Sequence, residues 1–169
     1  MKTTKLLLCL AMSSAVLMGS ARMLSAGSST ANLNVSANVS ANCAISTTPV
    51  AFGAYDPIVT NATANDDDVG TVIVTCTKGT TATIGLGLGA NASGSIRRMK
   101  DATTDYLSYE LYQETGRITV WGTTGTALLS TGAAPSKAPR TFTVYGRIPA
   151  GQDVPAGSYT DTVVATVNF

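Results

Sequence analysis

From Leu33 to Cys43, apolar or small residues (Leu33, Val35, Ala37, Val39, Ala41) alternate strictly with Asn34, Ser36, Asn38, Ser40 and Asn42. A repeat of two marks a strand with one apolar face, and neither Gly nor Pro interrupts it. Extended, the run reaches roughly 35 Å at about 3.3 Å per residue, whereas a compact domain of this size has a radius of gyration of about 15 Å. One half can therefore pair with its own body while the other half projects. A projecting amphipathic strand has amides and an apolar row that both need a partner. The pattern predicts a subunit that gives this N-terminal strand to a neighbouring molecule.

Behind Cys43 the chain reads as short strands between turns, with no stretch of period 3.6. Predicted strands are Val50–Tyr55, stopped by Asp56-Pro57, then Val69–Thr77, and Thr81–Gly89 with Ile84, Leu86 and Leu88 on one face. Tyr106–Gln113, Arg117–Gly122, Ala127–Ser130, Thr141–Ile148 and Gly157–Phe169 follow. Ile58–Asp68 and Ala90–Asp105 read as polar connections, the second with Arg97, Arg98 and Lys100 exposed. In the last strand Tyr159, Val163, Ala165, Val167 and Phe169 share the core side, opposite Thr160, Thr162, Thr166 and Asn168. About eight strands at this spacing indicate an all-β antiparallel sandwich. Because the sequence stops at the end of a strand, a further strand beside Phe169 is expected to come from outside. An apolar groove there is an aggregation hazard until filled, so export of such a subunit calls for a chaperone.

Composition adds a compartment. Lys2 and Lys5 ahead of the apolar Leu6–Met18 form a secretion signal, with cleavage after Ala21 or Ala26. Residues 1–26 are thus leader, 27–40 the projecting strand and 41–169 the domain. No later stretch reaches the roughly 20 apolar residues of a spanning helix. Loss of Lys2, Lys5 and Arg22 leaves eight basic against ten acidic side chains, a net charge of −2, which gives no electrostatic reason to bind nucleic acid or anionic lipid. Cys9 leaves with the leader. Cys43 and Cys76 remain in an oxidising compartment and are expected to form one disulfide, which stabilises by about 3.5 to 4 kcal/mol on the chain-entropy account.

Several segments, in order along nearly the whole mature chain, resemble the spore coat protein U family, which includes the Csu-type subunits of archaic chaperone-usher pili. They are Asn42-Cys43-Ala44-Ile45, Phe52-Gly53-Ala54-Tyr55, Val74-Thr75-Cys76-Thr77, Tyr109-Glu110-Leu111-Tyr112, Trp121-Gly122, Val144–Pro149 and Gly157–Val163. The resemblance implies an incomplete immunoglobulin-like sandwich completed by donor-strand exchange. It also implies a periplasmic chaperone, an outer-membrane usher, and copies of the chain or sister pilus subunits as partners, with export to the cell surface for attachment and biofilm formation. Carried onto this sequence, the donor row is Leu33, Val35, Ala37 and Val39. Ala37 and Ala41 are small for groove-filling positions, so Leu33, Val35 and Val39 should dominate the fit, at about 1.5 to 3 kcal/mol for each buried Leu or Val.

Chemistry is sparse. There is no histidine, which removes the usual general base and commonest metal ligand. The Gly85–Ala90 segment matches G-x-G-x-x-A, but the glycines fall inside an alternating strand with no helix behind them, which is no dinucleotide site. Asp66, Asp67 and Asp68 lack the alternate spacing and bidentate glutamate of a calcium loop and read as a solvated turn. Trp121 reads as packing. Asn34, Asn38, Asn61 and Asn91 open Asn-x-Ser/Thr sequons, two of them in the donor strand, where a glycan would obstruct insertion. No catalytic, cofactor or metal residues are assigned. The expected role is structural, with a tip or minor adhesive subunit and a secreted coat protein as the alternatives.

Overall fold

The computed structural model describes residues 26–169; residues 1–25 of the expected leader lie outside the described residues. The chain divides into two units, Met1–Ala37 and Asn38–Phe169. In the first, residues 26–37 carry no helix or strand, and Leu33 and Val35 are each 87% exposed.

The second unit is an antiparallel sandwich. Its eight strands are β1 (Cys43–Thr48), β2 (Asp66–Cys76), β3 (Thr81–Leu86), β4 (Arg97–Lys100), β5 (Tyr106–Tyr112), β6 (Leu129–Ala133), β7 (Arg140–Ile148) and β8 (Ala165–Asn168). One sheet has the order β1-β2-β7-β5-β4, the other β6-β3-β8. Alternation decides what each strand buries: Val72, Val74 and Cys76 of β2, Ala82, Ile84 and Leu86 of β3, Leu107, Tyr109 and Leu111 of β5, and Val144 and Ile148 of β7 all meet in the core. Trp121 is completely buried among them and donates from Nε1 to the Ile84 carbonyl at 2.9 Å, which satisfies the one polar atom of a large apolar side chain. Cys43 and Cys76 face each other across the β1/β2 register and are disulfide-bonded.

Several expectations change. Val50–Tyr55 forms no strand, because no described segment pairs with it. Arg117–Gly122 is reduced to a single bridge between Val120 and Tyr112, following a left-handed turn at Arg117 (φ 51°). The last strand is regular only over β8, where β3 lies alongside; upstream it is held by separate main-chain bonds to Gly87, Ala90 and Lys100. Asp66–Asp68 is not a solvated turn but the start of β2. There Asp67 accepts from the Arg147 guanidinium at 2.7 and 2.8 Å and lies 3.3 Å from Arg117.

The largest departure is Arg97, expected on an exposed connection and found completely buried at the head of β4. Its guanidinium donates to the carbonyls of Leu86, Gly87 and Trp121 at 2.7–2.9 Å and pairs with Glu110. Three carbonyls that no ladder satisfies thus share one cation, which needs their bonds and a carboxylate to be buried at all.

Replacing Arg97 with Met strands these carbonyls and Glu110. We expect a loss of about 3–5 kcal/mol, read as a lower urea midpoint. Asp67 behaves differently because it is partly exposed. Its hydrogen bonds to Arg147 and the charge of Arg117 hold its carboxyl below the usual value, so its contribution is present above the unfolded pKa and lost as pH falls through the folded one. Asp67→Asn should therefore flatten the acid limb of the stability profile below about pH 4, by about 1 kcal/mol or less.

Candidate functional site: an apolar groove between two open strand edges

β1 pairs only with β2, and β8 only with β3, among the described residues. Each lies at the edge of its own sheet. Between them and their extensions runs a groove made of two consecutive cavities, about 310 Å³ and about 730 Å³, which share Val50, Phe52, Met99 and Tyr159. One wall is Thr47–Tyr55 and the other Val154–Val163. The floor is the buried core itself: Val72, Leu86, Tyr109, Leu111 and Val144 line it and are each at most 6% exposed.

The walls are strands in sequence pattern but lack the bonds of strands. No main-chain group from Val50 to Tyr55, or from Asp153 to Tyr159, makes a main-chain hydrogen bond among the described residues. Further along, Thr160, Thr162 and Val164 bond outward to Lys100, Ala90 and Gly87. Successive residues of an extended chain direct their amides to opposite sides, so Asp161 and Val163 present theirs to the groove. A surface of unpaired amides over an apolar floor binds an extended peptide by β-augmentation.

Side chains hold the walls in place. Phe52 packs edge-on against Tyr109, ring centres 6.4 Å apart. Gly146 makes this possible, since a Cβ there would lie 2.6 Å from Val50 and 2.7 Å from Phe52. The opposite wall is pinned through Asp161, a carboxylate at an inward position of an otherwise apolar row. It accepts from the amides of Ala90 and Asn91 at 2.9 and 3.1 Å, from Asn91 Nδ2 at 3.0 Å and from the Tyr109 hydroxyl at 2.7 Å. Gly89, at φ 91°, admits it, because a Cβ would fall 1.9 Å from Oδ2. Burial, reinforced by the bond to Asp161, pushes the Tyr109 hydroxyl far above its ordinary pKa, so it remains a donor. Tyr109 thus touches both walls.

Of the residues expected on the core side of the last strand, Tyr159, Val163, Ala165 and Val167 pack against the core, and the first two line the groove. Phe169 does not; it lies beyond β8 and is 57% exposed. Val39 is likewise exposed. Sequence reasoning missed Asp161 and Met99 as groove residues. Asp161 was detectable as a lone charge in phase with Tyr159 and Val163; Met99, beside two cations, carried no signal.

Fold and groove define an antiparallel sandwich open along one seam. The chain belongs to the Spore Coat Protein U domain family, which it matches over residues 29–166. It is 44% identical over 158 residues to Protein U of Myxococcus xanthus, covering 85% of this chain and 87% of that protein. Among solved structures it resembles a chain of the CsuC–CsuE chaperone–tip adhesion subunit pre-assembly complex from archaic chaperone-usher Csu pili of Acinetobacter baumannii. The TM-score is 0.58 at 20% identity over 78% of this chain, which spans 40% of the length of the matched one. That likeness concerns the fold.

If the groove takes an extended peptide, crowding one wall should close it. Gly146→Val pushes Val50 and Phe52 off the floor, and overpacking of this kind costs about 1–3 kcal/mol. The expected result is at least a tenfold weaker uptake of a synthetic peptide spanning residues 27–42, measured by fluorescence anisotropy.

Proposed function

We propose that this chain is a non-enzymatic structural subunit of an exported fibre, and that each copy lays its N-terminal segment into the groove of the next. The observation that carries the reading is the pair of unbonded walls over an apolar floor, together with an exposed segment whose alternation matches what such a groove requires. Leu33, Val35, Ala37 and Val39 are the inserted row. Main-chain bonds to both walls supply affinity, and the alternating side chains set the register.

Because the donor and acceptor surfaces differ, the contact is head-to-tail and propagates into a filament unless rotation closes it. Until it is filled, the groove leaves the main-chain groups of both walls unpaired, so the subunit needs a holding partner before assembly. The named structural relative is a chaperone–subunit pair from chaperone-usher pili, which supports a periplasmic chaperone, an outer-membrane usher and a place on the cell surface, in attachment and biofilm formation. The family's description as a spore coat domain favours a second reading, a deposited coat built by the same exchange. Electron microscopy of the extracellular material separates ordered fibres from an amorphous layer.

Leu33→Asp places a charge in an apolar site, and a chain starting at Asn38 has no donor row. Both should abolish the ladder of detergent-resistant oligomers expected from the natural sequence on unheated denaturing gels, while the folded domain persists. Ladders like those of the natural sequence from either variant would overturn the reading.

A further inference from the structure

The groove-bearing unit has two chemically different ends. At the near end, where residues 38–42 join β1, lie the Cys43–Cys76 pairing, the turn 77–80 and the loop 134–139, tied together by Gly79 N to Ala134 O and Ala134 N to Thr80 O at 2.8 and 2.9 Å. This end carries Lys78 and Lys137, both exposed, and Arg140. No acidic side chain occurs between Val69 and Lys100 or between Thr115 and Gln152, so the turn 77–80 and the loop 134–139 carry basic side chains and no acidic ones.

At the far end the connections 56–65, 101–105 and 149–157 gather. Gly151 N bonds to Asn61 O at 2.8 Å, Ala150 N to Asn65 Oδ1 at 3.0 Å, and a Cβ on Gly157 would lie 3.9 Å from Asp101. Asp56, Asp66, Asp101, Asp105 and Asp153 are all in or beside these connections, with Lys100 and Arg98, both over the Tyr106 ring, the cations there. In the same place a turn closed by Asp56 Oδ1, which accepts the amides of Ile58 and Val59 at 3.0 and 3.2 Å, holds those two side chains 82% and 73% exposed. Ile58 also lines the groove.

The direction of insertion decides which ends meet. The wall 153–168 runs from the far end to the near end, since Asn168 pairs with Thr83 just after the near-end turn. The wall Thr47–Tyr55 runs the other way, so an inserted strand is antiparallel to one wall and parallel to the other in either direction; one antiparallel to 153–168 runs from near to far and leaves the groove at the far end. The reverse polarity would bring the incoming body to the near end. There the acceptor's own residues 40–42 already lie against Thr77, whose Oγ1 bonds Asn42 N and Ser40 O at 3.2 and 3.4 Å.

Building on the strand-donation reading, we propose that successive copies also touch end to end, the acidic far end of the acceptor, with Ile58 and Val59 at its rim, meeting the basic near end of the donor. The partner is a second copy of this chain. Complementary fields across such a contact speed encounter and fix orientation more than they add affinity. They act within a Debye length of about 8 Å at physiological salt.

The test is the rate at which the mature full chain builds a detergent-resistant ladder, read on unheated denaturing gels, after dilution from denaturant. Growth of the natural chain should slow roughly tenfold from low to high salt. Lys78→Glu/Lys137→Glu and Asp105→Lys/Asp153→Lys, each of which makes both ends alike in sign, should each grow about tenfold more slowly at low salt. An equal mixture of the two should recover the rate of the natural chain, because each variant then finds an opposite end, and that recovery also shows both are folded. A mixture no faster than its components, or variants that match the natural chain at both salts, overturns the end contact. Strand donation is judged separately by whether Leu33→Asp forms ladders at all, so ladders growing at one rate in every charge variant would remove the end contact and leave donation standing.

Discussion

Main-chain polarity governs this molecule. Every amide placed next to an apolar core must find a partner, and along one seam of the sandwich it does not. Val50–Tyr55 and Asp153–Tyr159 face each other as unladdered walls over Val72, Leu86, Leu111 and Val144. Either water reaches these groups, which keeps apolar floor wet, or a peptide covers both at once. The second arrangement removes apolar area and satisfies amides in one step, and an exposed alternating segment is the chemical complement it calls for.

A sandwich open on one side has less core with which to hold its remaining strands, and the buried polar groups compensate. Arg97 collects the carbonyls of Leu86, Gly87 and Trp121, where the chain leaves β3 and where it passes Trp121. Asp161 does the same for the amides of Ala90 and Asn91. Each gathers irregular main chain beyond the regular ladders, and Tyr109 connects the carboxylate to the wall opposite. These are fixed polar networks with every member bonded, the condition under which low surrounding dielectric strengthens them.

Much of this was legible in the sequence. Alternation located β2, β3, β5 and β7 and the faces they bury, and two mature cysteines in an exported chain located the disulfide. Ordered short segments, from Asn42-Cys43 to Gly157–Val163, located the family. The failures share a cause. A strand is defined by a continuous partner, so Val50–Tyr55, with no described segment paired to it, and Gly157–Val164, held only by separate main-chain bonds, are not strands although they are patterned as such. Arg97 and Asp67 were misplaced because composition reads a cluster of charges as solvated, whereas Glu110 and Arg147, which receive them, lie 13 and 80 residues away. No local window reveals a partner at that distance.

The disulfide has a mechanical meaning. β1 is an edge strand, hydrogen-bonded on one side only, and pulling on its first residue would ordinarily peel it away one bond at a time. Here the pull arrives at Cys43 and crosses a covalent bond into β2, a strand paired on both sides through β1 and β7. Under the proposed strand donation, tension between neighbouring copies bypasses the weakest edge and loads an interior strand of the larger sheet in shear.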